Sequence, residues 1–328
     1  MNKTPKLFIL AGAVLAFLFL FVSIVYNNFV QKSIYEENSR HLLSTYEQVD
    51  KTFTMFVQHN WNALSDWSNN LQYLDDAENM KTLWYDFARR KDAWQYQDFY
   101  MFNENCDFIT AAGRDGNAPN IQGIFLDMYA TGQPVISSYI ASDSNRRIVF
   151  ALPMDVPYTI NGITYSGLAV SYNNDVVEKL IAGNIYQGQS DCYILTSDGN
   201  VLLSLEPKTE FLQHISNLFD FLNNYTDMTE TEITDLKKNI KNVSTGSLQC
   251  RYNKKTYYLV YEPTGINDWT IVGIIHNDVV DASMRRIQFI TIVLILILNG
   301  CIALLLTGTV FALMDSRLRM KEHEQMIL

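Results

Sequence analysis

The side chains able to hold a small molecule cluster between residues 100 and 172. They are Tyr100, Arg114, Asp127, Tyr129, Ser138, Tyr139, Arg147 and Tyr172. A binding pocket combines apolar walls with a few placed polar groups, and this set supplies hydroxyls, two guanidiniums and a carboxylate among many aromatics. Covalent or metal chemistry has no comparable signal. His41, His59, His214 and His276 are scattered, and none has a partner at metal-ligand spacing. No Gly-rich phosphate loop and no G-x-S-x-G elbow occurs. The reading is therefore of a binding protein without a catalytic module or cofactor.

The elements that must position this set begin at the membrane. Leu7 to Tyr26 carries no charge, and about 20 apolar residues match the thickness of a hydrocarbon core. Ile287 to Met314 is a second apolar run, with Gln288 and Asn299 as its strongly polar side chains. Lys3 and Lys6 precede the first run, and Arg317, Arg319 and Lys321 follow the second. Positive outer flanks place both termini in the cytoplasm. The region between the runs is then extracytoplasmic, at the plasma membrane of a two-span protein. The chain has 35 acidic and 25 basic residues. Of the acidic ones, only Asp315, Glu322 and Glu324 lie outside that region, so it is more acidic than the chain's net charge of −10. Such a balance disfavours nucleic acid as a partner.

No Gly or Pro falls between Ala13 and Leu74, and Leu42, Tyr46, Val49, Phe53, Phe56, Leu64, Trp67, Leu71 and Leu74 recur at helical spacing. This predicts a long stalk helix, its stripe interrupted at Asn60, where Trp61 is expected to substitute. Its outer part belongs to a core, and the stretch from Leu42 to Phe56 is expected to meet a second copy of the chain. Ala77 to Arg90 reads as a shorter helix.

From Trp94 the period becomes that of strands. Asp98 to Asn103 and Phe108 to Ala112 form a hairpin, followed by a helix over Ile121 to Ala130. Strands are expected at Pro134 to Ala141 and Arg146 to Leu152. Tyr158 to Ile160 and Ile163 to Tyr165 flank Asn161-Gly162, a pair suited to a type I′ turn, and Asp175 to Ile181 is a short helix. Then the pattern restarts. Asp191 to Thr196 echoes Asp98 to Asn103, Tyr258 to Pro263 echoes Ile148 to Pro153, and Asn277-Asp-Val-Val280 repeats Asn174-Asp-Val-Val177 letter for letter. Three echoes in one order indicate two related modules, the second with an added helical segment over Lys208 to Asn242. Asn277 and Asp278, as helix caps, couple the last strand to the outgoing helix. Cys106, Cys192 and Cys250 fit no disulfide framework; a Cys192–Cys250 bridge is one alternative and buried thiols the favoured one.

The order resembles a known family. A stalk after an N-terminal span, two consecutive PAS-like sheets, the strand ending at Pro263, the run Asn267 to Gly273, and a helix into a second span look like the double Cache (dCache) ectodomain of bacterial receptors. The resemblance covers about Phe29 to Arg286. It implies an α+β fold of two tandem antiparallel-sheet modules on a long N-terminal helix, flanked by two transmembrane helices. The expected divisions are a cytoplasmic N-terminus (1–6), a first span (7–26), stalk and second helix (27–92), membrane-distal module (93–182), membrane-proximal module (183–280), output helix (281–286), second span (287–314) and cytoplasmic tail (315–328). The tail is expected to lead into an output domain. The implied function is small-molecule sensing, as the sensor half of a histidine kinase; a diguanylate cyclase or chemoreceptor, and a membrane-anchored binding protein with no output domain, are the alternatives. Implied partners are a small extracellular ligand, the lipid bilayer, and a second copy through the stalk and transmembrane helices. Amino-acid-binding members use an Arg-x-Trp-Tyr group and an Asp near the first module's final strand. This chain lacks that group, and Ser171, Tyr172 and Asn173 stand where the Asp would fall, so the resemblance does not carry an amino-acid ligand.

Overall fold

The computed structural model describes residues 4–71, 73, 85, 88–89, 91, 95–118, 122–141, 145–181, 185–204 and 215–327. Two compact units are present, Leu42–Val279 and a second made of Met1–His41 with Val280–Leu328.

In the larger unit, the outer part of helix α1 (Thr4–Leu71) presents one buried face. It comprises Leu42, Tyr46, Val49, Phe53, Val57, Asn60, Leu64, Trp67 and Leu71, all at most 5% exposed. The steps of three and four residues keep them on one side of a 3.6-residue helix. The expected break at Asn60 is not a break. Asn60 is itself buried: its amide donates to the Phe56 carbonyl at 2.9 Å and accepts the Tyr172 hydroxyl at 2.7 Å. Trp61 is only half-buried and does not take its place. Burial of a polar side chain is tolerated when its hydrogen bonds are made.

The first sheet contains β1 (Asp98–Phe102), β2 (Asp107–Thr110), β3 (Asp115–Asn117), β4 (Val135–Ile140), β5 (Arg146–Ile160) and β6 (Ile163–Asn173), in the order β3-β2-β1-β6-β5-β4. Helix α2 (Gln122–Thr131) covers one face and α3 (Asn174–Ile181) follows β6. The second sheet contains β7 (Ser190–Leu195), β8 (Val201–Ser204), β9 (Gly246–Tyr252), β10 (Lys255–Pro263) and β11 (Thr270–His276), in the order β8-β7-β11-β10-β9. Apart from the short β3, the two orders are the same, and the echoed segments occupy equivalent strands. Two helices, α4 (Leu218–Tyr225) and α5 (Glu230–Lys241), fill one face of the second sheet with Leu218, Phe219, Leu222, Ile233, Leu236 and Ile240. Thr229 and Glu232 close a reciprocal capping box at the start of α5. Most of the expected helix over Ala77 to Arg90, and Phe211 in the added segment, lie outside the described residues.

Pro153 does not end its strand. β5 continues to Ile160 across a shift in register between Pro153 and Tyr158, so one long hairpin replaces the two expected pieces. A proline lacks the ladder N–H, and an irregularity of this kind accommodates it. At the turn Asn161 and Gly162 have φ of 50° and 80°, the signs a type I′ turn requires. Cys192 and Cys250 are buried thiols. Three strand spacings separate β7 from β9, about 14 Å, beyond disulfide reach.

Helix α1 packs against both sheets. Phe56 meets Phe150 and Tyr172 edge-on, and Trp67 meets Phe99 at 4.6 Å. Further along, Phe53 stacks on Trp269 at 6.2 Å. The Tyr46 ring fills the space where a side chain on Gly273 would be. This corrects one expectation: Leu42, Tyr46, Val49 and Phe53 are buried within this chain, Tyr46 and Phe53 against its second module, so that face is not a seam for another copy.

Helix α6 (Asn277–Ile327) carries into the smaller unit the stretch Phe289–Ser316, 28 residues long, within which an 18-residue window reaches a mean hydropathy of 2.9, long and apolar enough to cross a membrane by length and composition. Asn38 donates to Asp281 at 2.6 Å and Asn299 donates to Ser23 at 3.3 Å. The second contact satisfies an amide within an apolar helix.

The Tyr46–Gly273 contact yields a test. Gly273→Ala places a methyl in the ring's space and is expected to cost about 1–3 kcal/mol, measured by denaturant unfolding of the full chain in detergent. An unchanged midpoint would contradict the packing.

Candidate functional site

The side chains that converge lie on the α2 face of the first sheet. Strand alternation points Asp98, Tyr100 and Phe102 of β1 to that face, while Phe99 faces α1. Arg147 on β5 lies opposite Tyr139 on β4. Asp98 is the hub. Its carboxylate accepts from Arg114 at 2.9 Å and from Arg147 at 3.3 Å. Arg147 and Asp98 are mostly buried, with side chains 14% and 17% exposed, whereas Arg114 is 69% exposed. Two guanidiniums thus share the Asp98 carboxylate.

Tyr100 lies beside this cluster. Burial, then the neighbouring Tyr139 and Asp98, hold its hydroxyl well above the usual phenol range, so it stays protonated. The wall above is aromatic: Phe125 of α2 stacks on Phe102 at 3.7 Å, and Tyr100 lies 6.4 Å from Phe125. Tyr129 donates to the Phe102 carbonyl at 3.3 Å and accepts from Ser166 at 3.0 Å. Burial pushes its hydroxyl up to about 12. An apolar wall, neutral hydroxyls and a guanidinium pair together suit a small molecule with an acidic group.

Tyr100, Arg114, Tyr129, Tyr139 and Arg147 are thus brought to one face. Three residues from the sequence set are not. Tyr172 points to α1 and bonds Asn60, and burial raises its hydroxyl above the usual range. Ser138 faces the second module. Asp127 is exposed on the outer side of α2. The residue missed by sequence reasoning is Asp98. Its signal was the internal repeat, which places Asp191, fully buried, at the equivalent position of β7.

Ser138 belongs to a junction between the modules. It donates to the Leu202 carbonyl at 3.1 Å. Arg146 reaches the carbonyls of Val201 and Leu202 at 3.0 and 3.2 Å, and Asn267 donates to the Ile136 carbonyl at 3.2 Å. Side chains thus join edge strand β4 to β8 and to the β10–β11 turn. At the far end, Asn277 and Asp278 open α6. The acceptor for the Asp278 backbone N–H is the Nδ1 of His276 at 3.1 Å, and the His276 ring rests edge-on against Tyr257 at 5.2 Å. The imidazole meets one of the orphan donors at this helix start.

The second module also has a groove of about 260 Å³ lined by residues including Asp198, Asp220, Lys237, Lys238 and Lys241. Its charges are partly answered internally, with Lys241 on Asp198 at 3.2 Å and Lys237 over the Phe219 ring. Among the described residues no group of acidic, His and Cys side chains is arranged to hold a metal ion.

Removing the Arg146 guanidinium is expected to loosen the junction. Arg146→Ala should lower unfolding stability by about 1–3 kcal/mol, with Arg146→Lys recovering part of the loss. A change within error, measured by denaturant unfolding, would mean that the junction contributes little.

No family model and no curated protein matches the chain. Solved structures do. The sensory domain of the Campylobacter jejuni chemoreceptor Tlp3, with isoleucine bound, aligns at TM-score 0.51 and 11% identity, covering 77% of this chain and 98% of that one. The ligand-binding domain of the Pseudomonas aeruginosa chemoreceptor PctB, in complex with L-Arg, aligns at TM-score 0.55 and 13% identity, covering 76% and 92%. The extracellular domain of mmHK1S-Z3, assigned as a histidine kinase, aligns at TM-score 0.52 and 14% identity, covering 74% and 98%. These are sensory rather than catalytic domains. At such identities the likeness is one of fold: a long N-terminal helix followed by two antiparallel sheets, the arrangement of dCache-type extracellular domains, is also the arrangement of this chain.

Proposed function

We propose that this chain is the extracytoplasmic sensor region of a two-span plasma-membrane receptor, and that a small molecule with an acidic group binds beneath α2. The observation that carries the reading is the Arg114–Asp98–Arg147 cluster beside Tyr100 and Tyr139. It lies in the first of two sheets whose fold is shared with chemoreceptor and histidine kinase sensory domains. Isoleucine and L-Arg, bound in two of those neighbours, each carry a carboxylate. A ligand carboxylate would compete with Asp98 for Arg147, and its differential contacts would shift the equilibrium between two arrangements of the module.

The response passes through the Ser138–Arg146–Asn267 junction to the second module, and through β11 and the His276 cap to α6. Both termini are cytoplasmic in this reading, and a histidine kinase is the favoured output. Two copies associate through the transmembrane segments and parts of α1 other than the buried face.

A thermal-shift screen of the full chain in detergent, against organic acids, amino acids, amines and purines, tests the proposal. A ligand at about 100 times its dissociation constant should add about 2.7 kcal/mol. Arg147→Ala should remove that shift. An acid that stabilises the Arg147→Ala variant as strongly as the unchanged chain would place the site elsewhere, and a response confined to amines would contradict the acidic-ligand reading.

A further inference from the structure

Residues 46 to 53 of α1 run along β11, from the Tyr46–Gly273 contact at one end to the Phe53–Trp269 stack at the other. Glu262 on β10 is the cross-strand partner of Ile271, midway between those contacts. It faces α1, because Tyr257, Leu259 and Tyr261 of the same strand turn the other way into the core under α4 and α5. The helix residues close to it are Asp50 and Glu47. Three carboxylates therefore meet at one helix–sheet seam.

Little on either element neutralises them. The cation within this turn of α1 is Lys51, and its ammonium is held by Glu47 at 2.7 Å on the exposed side. Val260, Ile271 and Gly273, the sheet positions around Glu262 on this face, carry no charge. One oxygen of Asp50 is fully buried. Burial raises the Asp50 carboxyl, opposed by a hydrogen bond to Thr54 and by Lys51. Burial, then Asp50, then Glu47, push Glu262 up to about 7.

We propose that this seam is a proton-operated clasp between α1 and the second sheet, closed when Glu262 is protonated and loosened when it ionises. The device is independent of the ligand site in the first module. Its direction follows from linkage. A carboxyl raised in the folded state holds its proton where the unfolded chain has released it. Its contribution is therefore full below the ordinary Glu range and declines as pH rises towards about 7. Above that the seam carries ionised carboxylates and stays weaker. Since α1 continues from this seam into the apolar segment that begins the chain, a proton outside the membrane gains a mechanical readout.

Hydrogen exchange of the full chain in detergent micelles tests the clasp, following amides of residues 47–57 and 258–262 after correction for intrinsic rates. Protection should be about tenfold greater near pH 5.5 than near pH 8.5, roughly one pH unit's worth of coupling after screening. Glu262→Gln should give acid-like protection at both values, and Asp50→Asn should move the midpoint to lower pH. Equal protection of the unchanged chain at both values would overturn the proposal, whether or not the variants fold. So would a Glu262→Gln chain that keeps the full pH dependence.

Discussion

One face of α1 is the constraint on which the larger unit depends. From Leu42 to Leu71 it is the wall for two sheets in succession, with Tyr46 and Phe53 against the second and Phe56, Asn60 and Trp67 against the first. Neither sheet could leave that face in water, because apolar area removed from solvent stabilises by about 25 cal/mol per Å². A helix is stabilised in a folded protein less by propensity than by the packing of its amphipathic face. The two modules therefore cannot shift independently of the helix, and a change in either is felt along it.

Within that frame the two modules have different characters. The first uses aromatics on both faces of its sheet, and on the α2 face it adds the guanidinium pair and neutral hydroxyls. The second is closed by α4 and α5 with aliphatic and aromatic side chains and holds its polar groups at the edges: the junction with β4, the His276 cap, and the acidic seam against α1. Recognition in the first module and mechanical transfer in the second is the division of labour that we propose. The helix leaving β11 is α6, which carries the long apolar stretch Phe289–Ser316.

Much of the fold was legible because its signals are periodic. The stripe on α1, the alternation of β1 and β7, and the Asn-Asp-Val-Val repeat each report a geometry that the chain must adopt. The failures were tertiary. Asn60 looked like a gap in an apolar stripe because only the fold supplies Tyr172 as its partner. Pro153 looked like a strand end because the register shift that accommodates it depends on β6. Tyr172 and Ser138 have the right chemistry for a site and the wrong face, and a one-residue change of parity decides that. Asp98 went unnoticed as a site residue because a carboxylate at a strand start becomes informative only once Arg114 and Arg147 arrive from distant segments. The dimer seam was assigned to Leu42–Phe56 because apolar periodicity marks a buried face without naming what buries it.

The central claim is that α1 makes the two modules one mechanical body. Phe53 contacts the second module through Trp269, so native-state hydrogen exchange on a Phe53→Ala chain tests the claim most directly. The account predicts that amides of β1, β5 and β6 in the first sheet lose protection together with those of β10 and β11. Loss confined to the second sheet, with the first unchanged, would contradict it.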